Sequence, residues 1–195
     1  MLINLQMTEF FQHRNASRRD LPALTALMDE AIGELQRPFL SADQIQSSRK
    51  VMGLDTQLID DGTYFVIETD DPEKRQIAGC GGWSRRATLY GGDHSPGRDA
   101  ALLDPSLDAA RVRAMYTAPS FVRRGVGRLI LQLCEAAAIA EGFGRLELVG
   151  TLSGEPLYHA AGFEVIERFE DSRGGAPVPL IRMQKTITLA PTPMH

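Results

Sequence analysis

Apolar residues at Leu24, Leu27, Met28, Ala31, Ile32 and Leu35 recur at three- and four-residue spacing, which predicts an amphipathic helix. Asp20 is suited to cap it, Pro22 sits in its first turn, and Pro38 is expected to end it. Ser41 can cap a second helix whose apolar positions are Ile45, Val51, Met52 and Leu54. The pattern then changes. TYFVIET (63–69) follows an Asp60-Asp61-Gly62 turn, and QIAGCGGWS (76–84) follows an Asp70-Asp71-Pro72 turn; together they read as an antiparallel hairpin. An earlier run, EFFQHRNA (9–16), is also strand-like. Further on, VRAMYTA (112–118) reads as a strand, and Leu129, Ile130, Leu133, Ala136, Ala137 and Ala140 form the apolar face of a helix ending near Gly142. LELVGT (146–151) is a strand, a short helix opens at Ser153 or Gly154 with Pro156 in its first turn, and Gly162 closes it. FEVIERF (163–169) and VPLIRMQKTI (178–187), joined by SRGGAP, read as a closing hairpin. Strands mixed with helices in this order predict an α/β fold on a mixed sheet.

Between these elements lies a long polar connection, residues 85–110, with only Leu102 and Leu103 as an apolar patch. Loops of this length within compact domains are uncommon and tend to serve binding, so part of the substrate specificity is expected there. Gly79, Gly81 and Gly82 mark either a bulge, with close backbone approach to a ligand, or tight packing beneath a neighbouring element.

Composition narrows the classes. At 195 residues, 43% of them hydrophobic and 24% charged, one domain spanning 1–195 with a sizeable core is expected. Residues 1–6 and 189–195 read as flexible tails. The formal net charge of -4 gives no electrostatic footprint for nucleic acid, and no apolar run approaches a membrane span. Cys80 and Cys134 make no disulfide framework and the N-terminus lacks the pattern of a secretory signal, so a reducing cytoplasm is the expected compartment. His13, His94, His159 and His195 are scattered and form no metal-binding spacing with each other or with the cysteines.

The chemistry concentrates in RRGVGR (123–128), which lies between a strand and a helix. Gly125 and Gly127 can adopt backbone angles closed to other residues and leave room for a ligand against the main chain. The unpaired N–H groups at the start of the helix attract an anion, and Arg123, Arg124 and Arg128 add forked donors suited to phosphate oxygens. A pyrophosphate cradle is the resulting expectation. Two common families do not fit it. A Rossmann fingerprint needs a glycine where Ile130 stands, and a P-loop needs Lys followed by Ser or Thr where Arg128 and Leu129 stand.

The stretch from Arg111 to Phe163 resembles the acetyl-CoA-binding core of the GNAT N-acetyltransferase superfamily. Its loop, written Q/R-x-x-G-x-G/A, appears here as VRRGVG: Gly125 and Gly127 match, and Val122 departs from the first position. LYHAAGF (157–163) is similar to the family's Tyr-x-x-x-Gly-Phe ending. The resemblance implies a GNAT-type central sheet, mixed but mostly antiparallel, with a splayed parallel strand pair and flanking helices. Acetyl-CoA would be the co-substrate. Main-chain groups of Met115, Tyr116 and Thr117 would meet the pantetheine arm and the oxyanion. Val122, Arg123, Arg124, Gly125, Val126, Gly127 and Arg128 would hold the phosphates. Thr151 stands where the family often has Asn, and Tyr158 would be the general acid that protonates the departing thiolate. The implied reaction is direct acetyl transfer to a primary amine of a small molecule or a protein.

No glutamate lies on the strand before the loop, where family members often carry a base; Arg111 and Arg113 stand there instead, and they are candidates for holding an acidic acceptor. Glu68 and His94 are the replacement bases to consider beside water-relayed deprotonation, while His159 belongs to a different helix face from Tyr158. Both cysteines read as small buried hydrophobes, which disfavours a ping-pong route. The missing glutamate and Thr151 keep open a second class, a non-catalytic acyl-CoA-binding sensor of the same fold. Trp83 and the last strand are candidates for a homodimer interface.

Overall fold

The structure, a computed structural model, describes residues 11–71 and 73–187; the two terminal segments expected from the sequence as tails (1–6 and 189–195), the first residues of EFFQHRNA and Pro72 of the hairpin turn lie outside that range. The elements in order are β1 (Phe11–Asn15), α1 (Leu21–Leu35), α2 (Ala42–Val51), α3 (Thr56–Asp60), β2 (Tyr64–Thr69), β3 (Ile77–Ser84), β4 (Ala110–Thr117), α4 (Val126–Ala140), β5 (Arg145–Thr151), α5 (Glu155–Ala160), β6 (Glu164–Asp171) and β7 (Val178–Thr186). Short 3₁₀ turns at Arg18–Asp20 and Pro119–Phe121 precede α1 and the glycine loop.

The strands form one seven-stranded sheet in the order β1-β2-β3-β4-β5-β7-β6. Every pairing is antiparallel except β4 with β5, which is parallel. This is the expected mixed, mostly antiparallel sheet. The parallel pair is short: only Ala110 with Leu146 and Arg111 with Glu147 are in register, after which the strands part. β5 meanwhile pairs with β7 along its whole length, from Arg145 with Thr186 to Thr151 with Leu180. The gap therefore opens on the β4 side, in the middle of the sheet.

α4 lies across β2, β3 and β4 and comes close to β3 where Gly79 and Gly81 present no side chain to hold it off. A Cβ on Gly79 would come 2.5 Å from Val126 Cγ1, and one on Gly81 would come 2.7 Å from Ile130 Cγ2. The glycine cluster thus serves close helix-on-sheet packing at these two positions. Successive strand residues face opposite ways, so Cys80 looks to the other face, on which α1 packs over β3 and β4. The core joins both layers through Leu24, Leu58, Tyr64, Val66, Ile67, Ile130, Cys134, Leu146 and Met183, each at most 1% exposed.

Two expectations change at the helix ends. Asp20 holds the N-cap position of α1, but its side chain makes no cap bond there: it closes a capping box with Ser17 in the preceding 3₁₀ turn, so local hydrogen bonding took the carboxylate that the helix start would have used. α1 ends at Leu35, ahead of Pro38, as expected. α2 does begin at Ser41, which accepts from Gln44 N, but it stops at Val51. Met52 is extended, Gly53 has φ of 139°, and Leu54 leads into α3, capped by Asp55.

Backbone crowding at Gly82 generates a stability test. A Cβ there would lie 2.3 Å from Thr63 O and 2.9 Å from Tyr64 Cα, both main-chain atoms that cannot swing away. Gly82→Ala is expected to lower stability by about 1–3 kcal/mol, read as a fall in the urea midpoint at unchanged slope. Gly144→Ala, where nothing lies within 4 Å, should stay within about 0.5 kcal/mol; equal effects would show that close packing at β3 is not tight.

Candidate active site

The opening between β4 and β5 is shaped by a bulge in β4. Cys80 pairs with Tyr116 and Gly82 with Arg113, so Ala114 and Met115 together oppose the single residue Gly81. Ala114 takes φ of 49°, a left-handed conformation that costs an alanine roughly 1 kcal/mol. It is held there by Tyr64, whose buried hydroxyl donates to Ala114 O at 2.7 Å. Met115, Tyr116 and Thr117 follow, half-buried although they lie in the middle of the sheet. Without a strand on that side, they are the main-chain segment a ligand can reach.

The chain then turns through Pro119–Phe121 into the arginine-glycine loop. Arg123 has φ of 64° and Gly125 φ of 91°, and Gly125 is the residue from which α4 starts. Val122, Arg123, Arg124 and Arg128 are exposed, with the Arg124 guanidinium 5.3 Å from the centre of the Phe121 ring. Val126 is buried against β3, so only its main chain is available to a ligand. At Gly127 a Cβ would come 2.6 Å from Leu157 Cδ2, which makes this glycine the contact between α4 and α5. The loop therefore places a helix N-terminus and three exposed arginines at the end of β4.

Tyr158 reaches the same opening from α5. Its ring lies on two glycines, Gly150 at the end of β5 and Gly154 at the start of α5; a Cβ on either would meet Cε2 at 2.6 or 2.8 Å. Phe163 meets it edge-on at 6.2 Å between ring centres. Burial pushes the phenol up to about 12, with the neighbouring Cys134 adding to the effect, and no hydrogen bond among the described residues engages it. At neutral pH it is a protonated donor, weaker than a phenol in water. Thr151 is half-buried at the same end of β5, where its hydroxyl shares a hydrogen bond with Ser153 at 2.9 Å. His159 points to Glu155 instead of the opening.

The residues considered as bases are placed differently. Glu68 is buried and bound by Arg14, which also takes Asp20 and holds that carboxyl down to about 2. His94 is exposed and lies against two glycines, 3.6 Å from where a Cβ on Gly53 would be and 3.3 Å from one on Gly92. Tyr116 is close by: burial raises its phenol, and the main chain of Gly53 hydrogen-bonds to it in opposition. Cys80 is pushed up to about 12 by burial, and burial raises Cys134 too, so neither is a thiolate at neutral pH.

Arg111 and Arg113 are not free cations at a wet strand end. Arg113 is 4% exposed, donating to Asp55 Oδ2 at 2.7 Å, Thr88 O at 2.8 Å and Gly91 O at 2.7 Å. Arg98 donates to the other oxygen, Asp55 Oδ1, at 2.7 Å and to the carbonyls of Gly91 and Gly92. Asp55, 1% exposed, also accepts from Gln57 N. One carboxylate thus ties the α2–α3 turn to β4 and to the long connection. Arg111 pairs with Glu147, which Arg182 also engages. The far end of the connection is anchored where Arg173 lies 4.5 Å above the Tyr90 ring and donates to Pro96 O. Sequence reasoning missed Asp55, Arg98 and Tyr64. The one local signal was Asp55-Thr-Gln, a helix cap; its ion pairs join positions 43 and 58 residues apart.

Removing the shared carboxylate leaves two guanidinium groups facing each other in a buried setting. Asp55→Ala is expected to cost about 3–5 kcal/mol, read by urea unfolding. A loss below about 1 kcal/mol would show that the network does not hold the connection down.

A family model described as Acetyltransferase (GNAT) domain matches residues 60–165, more than half of the chain. Comparison with curated protein sequences finds no match. Among solved structures, a GCN5-related N-acetyltransferase from Rhodopseudomonas palustris superposes with a TM-score of 0.66 at 16% identity, covering 92% of this chain and 97% of that one. The PaiA N-acetyltransferase from Thermoplasma acidophilum, solved with coenzyme A, gives 0.58 at 14% identity over 90% and 98% of the two chains. The yncA protein of Salmonella typhimurium, solved with acetyl-CoA, gives 0.57 at 16% over 95% and 99%. At these identities the structures speak for the fold. With the parted parallel strands, the glycine loop and the matched model in agreement, this chain belongs to the GNAT acetyltransferase domain family.

Proposed function

We propose that this protein transfers an acetyl group from acetyl-CoA directly to a primary amine. The observation that carries the reading is the gap between β4 and β5, which runs from the Met115 bulge to the Gly125-led start of α4 and has Tyr158 at its rim. The residues fit the co-substrate. Main-chain groups of Met115 and Thr117 suit the amide groups of the pantetheine arm, which would complete the sheet where β5 departs. Main-chain N–H groups from Val122 to Gly127 suit the pyrophosphate, and Arg123, Arg124 and Arg128 supply charge around it. Relatives of the same fold solved with coenzyme A or acetyl-CoA support this assignment.

In the proposed reaction the amine nitrogen bonds to the acetyl carbon and the carbon–sulfur bond breaks. A main-chain N–H at Met115 or Tyr116 meets the developing negative oxygen. Tyr158 gives its proton to the departing sulfur, and the proton shed by the amine returns to the phenol through water. Direct transfer is supported by the two cysteines, both fully buried and protonated. A soluble, cytoplasmic setting accords with the free cysteines, and no helix among the described residues is long and apolar enough to cross a membrane.

Two substitutions separate binding from chemistry. Tyr158→Phe keeps the ring on Gly150 and Gly154 and removes the donor, so kcat is expected to fall by about 10² or more while acetyl-CoA affinity stays near that of the natural protein. Because burial raises the phenol to about 12, the proton is present below that value and lost only above it; the deficit should be constant from about pH 6 to about pH 10. Unchanged kcat would remove Tyr158 from the acid role. Gly125→Glu places a side chain at φ of 91° and a negative charge beside the phosphates, and calorimetric titration with CoA is expected to show at least about a tenfold loss; equal affinity would show that the loop does not hold them. CoA binding without turnover on any amine would favour the acyl-CoA sensor.

A further inference from the structure

Beyond the gap, between α3, β3, β4 and the long connection, lies a polar cavity of about 90 Å³ lined by Asp55, Gln57, Ser84, Arg86, Thr88, Arg98, Ala100 and Arg113. A water needs roughly 10–15 Å³ on this measure, so the cavity has room for a small polar group. Its charges do not cancel. Arg86, Arg98 and Arg113 are met by two carboxylates: Asp61, which takes Arg86 at 2.6 and 2.8 Å, and Asp55, shared by the other two. Arg111, one strand-repeat before Arg113 and paired across the sheet with the cavity residue Ser84, has a buried Nε with no hydrogen-bond partner. Its remaining contact is to Glu147, which Arg182 also occupies. Within the lining, three guanidinium groups against two carboxylates leave one positive charge in excess, which favours an anion there.

The cavity is also linked to the reacting centre along β4. Arg113 directly precedes the bulge, and only Ala114 separates it in the chain from Met115. Arg86 and Arg98 keep 26% and 23% of their side chains exposed, so an entering group can reach them. We propose that this cavity binds the carboxylate of the acceptor, and that the acceptor is a small amine carrying that carboxylate a few bonds from its nitrogen. The proposal rests on the amine-transfer reading above. Arg86 is its specificity residue: held by Asp61 and Ala100 O, its side chain is still 26% exposed, whereas that of Arg113 is 3% exposed and tied to Asp55, Thr88 O and Gly91 O.

The test compares β-alanine with β-alaninamide and 4-aminobutanoate with 4-aminobutanamide, each pair differing only in the charge of one end. Initial rates of CoA release from acetyl-CoA are expected to favour the acids by at least about tenfold in kcat/KM, the worth of one charge-assisted hydrogen-bond pair. In Arg86→Gln the acid-to-amide ratio should fall towards one, and Arg86→Lys should restore part of it; should Arg86→Gln not fold, the intermediate ratio in Arg86→Lys carries the comparison. A second reading needs no turnover: at matched ionic strength the acids, unlike the amides or sodium chloride, should raise the thermal midpoint of the natural protein. Amines acetylated without regard to the carboxylate, together with equal midpoints, would overturn the subsite and leave the transfer reading standing. A midpoint raised by the acids with no amine acetylated would uphold the anion site and overturn transfer.

Discussion

The functional architecture depends on an interrupted hydrogen-bond ladder. β4 and β5 share only two residue pairs before they part, and the parting leaves main-chain groups in the centre of a sheet without protein partners. Buried backbone donors and acceptors are costly to leave unpaired, so an opening of this kind persists only if both strands are secured from their other sides. β5 is secured by seven pairs with β7, and β4 by its pairing with β3 and by the Tyr64 hydroxyl on the carbonyl of its bulge. Everything placed around the gap follows from that geometry. The glycine loop starts where β4 ends, and Tyr158 arrives on the helix that β5 leads into.

Missing side chains position the site as much as present ones do. α4 sits close to β3 because Gly79 and Gly81 have no Cβ, and Tyr158 lies flat at the rim because Gly150 and Gly154 make room for its ring. Gly127 does the same for Leu157. These contacts set the distance between the glycine loop at the start of α4 and the Tyr158 phenol, the two places to which the proposed function gives the phosphates and the proton. Close packing transmits small shifts, which makes a bulky residue at any of them a change in site geometry as well as in stability.

On the other face, a single carboxylate organises what the long connection does. Asp55 gathers Arg113 from β4 and Arg98 from residues 85–110, and the two guanidinium groups then hold the carbonyls of Thr88, Gly91 and Gly92. Arg111 and Arg113, candidates for holding an acidic acceptor, are both found engaged by carboxylates of the protein itself, Glu147 and Asp55. Arg113 became an internal tie because burying a charge requires a partner, and Asp55 is the one the fold brings to it. The same network leaves a sheltered polar space beside the reacting centre with positive charge in excess, which is the basis of the acceptor specificity proposed for it.

The sequence alone determined the elements whose cause is local. Helical spacing from Leu24 to Leu35, the Ser41 cap, the strand runs at 64–69 and 77–84 and the glycine-led start of α4 are readable because they depend on neighbours within a few residues. The order of strands and helices, with VRRGVG and LYHAAGF, was enough to indicate the family. Asp20 stands at the start of α1 as expected, but its carboxylate bonds to Ser17 and Arg14 instead of the helix it precedes. Only the tertiary structure decided where β4 leaves β5, why Ala114 turns left-handed, which arginines are consumed and which face a cavity. Those outcomes rest on contacts such as Tyr64 with Ala114, 50 residues apart, and Arg113 with Asp55, 58 apart. A one-dimensional pattern carries no record of which distant groups will share one buried space, and it is that sharing which fixes charge, exposure and reach at the site.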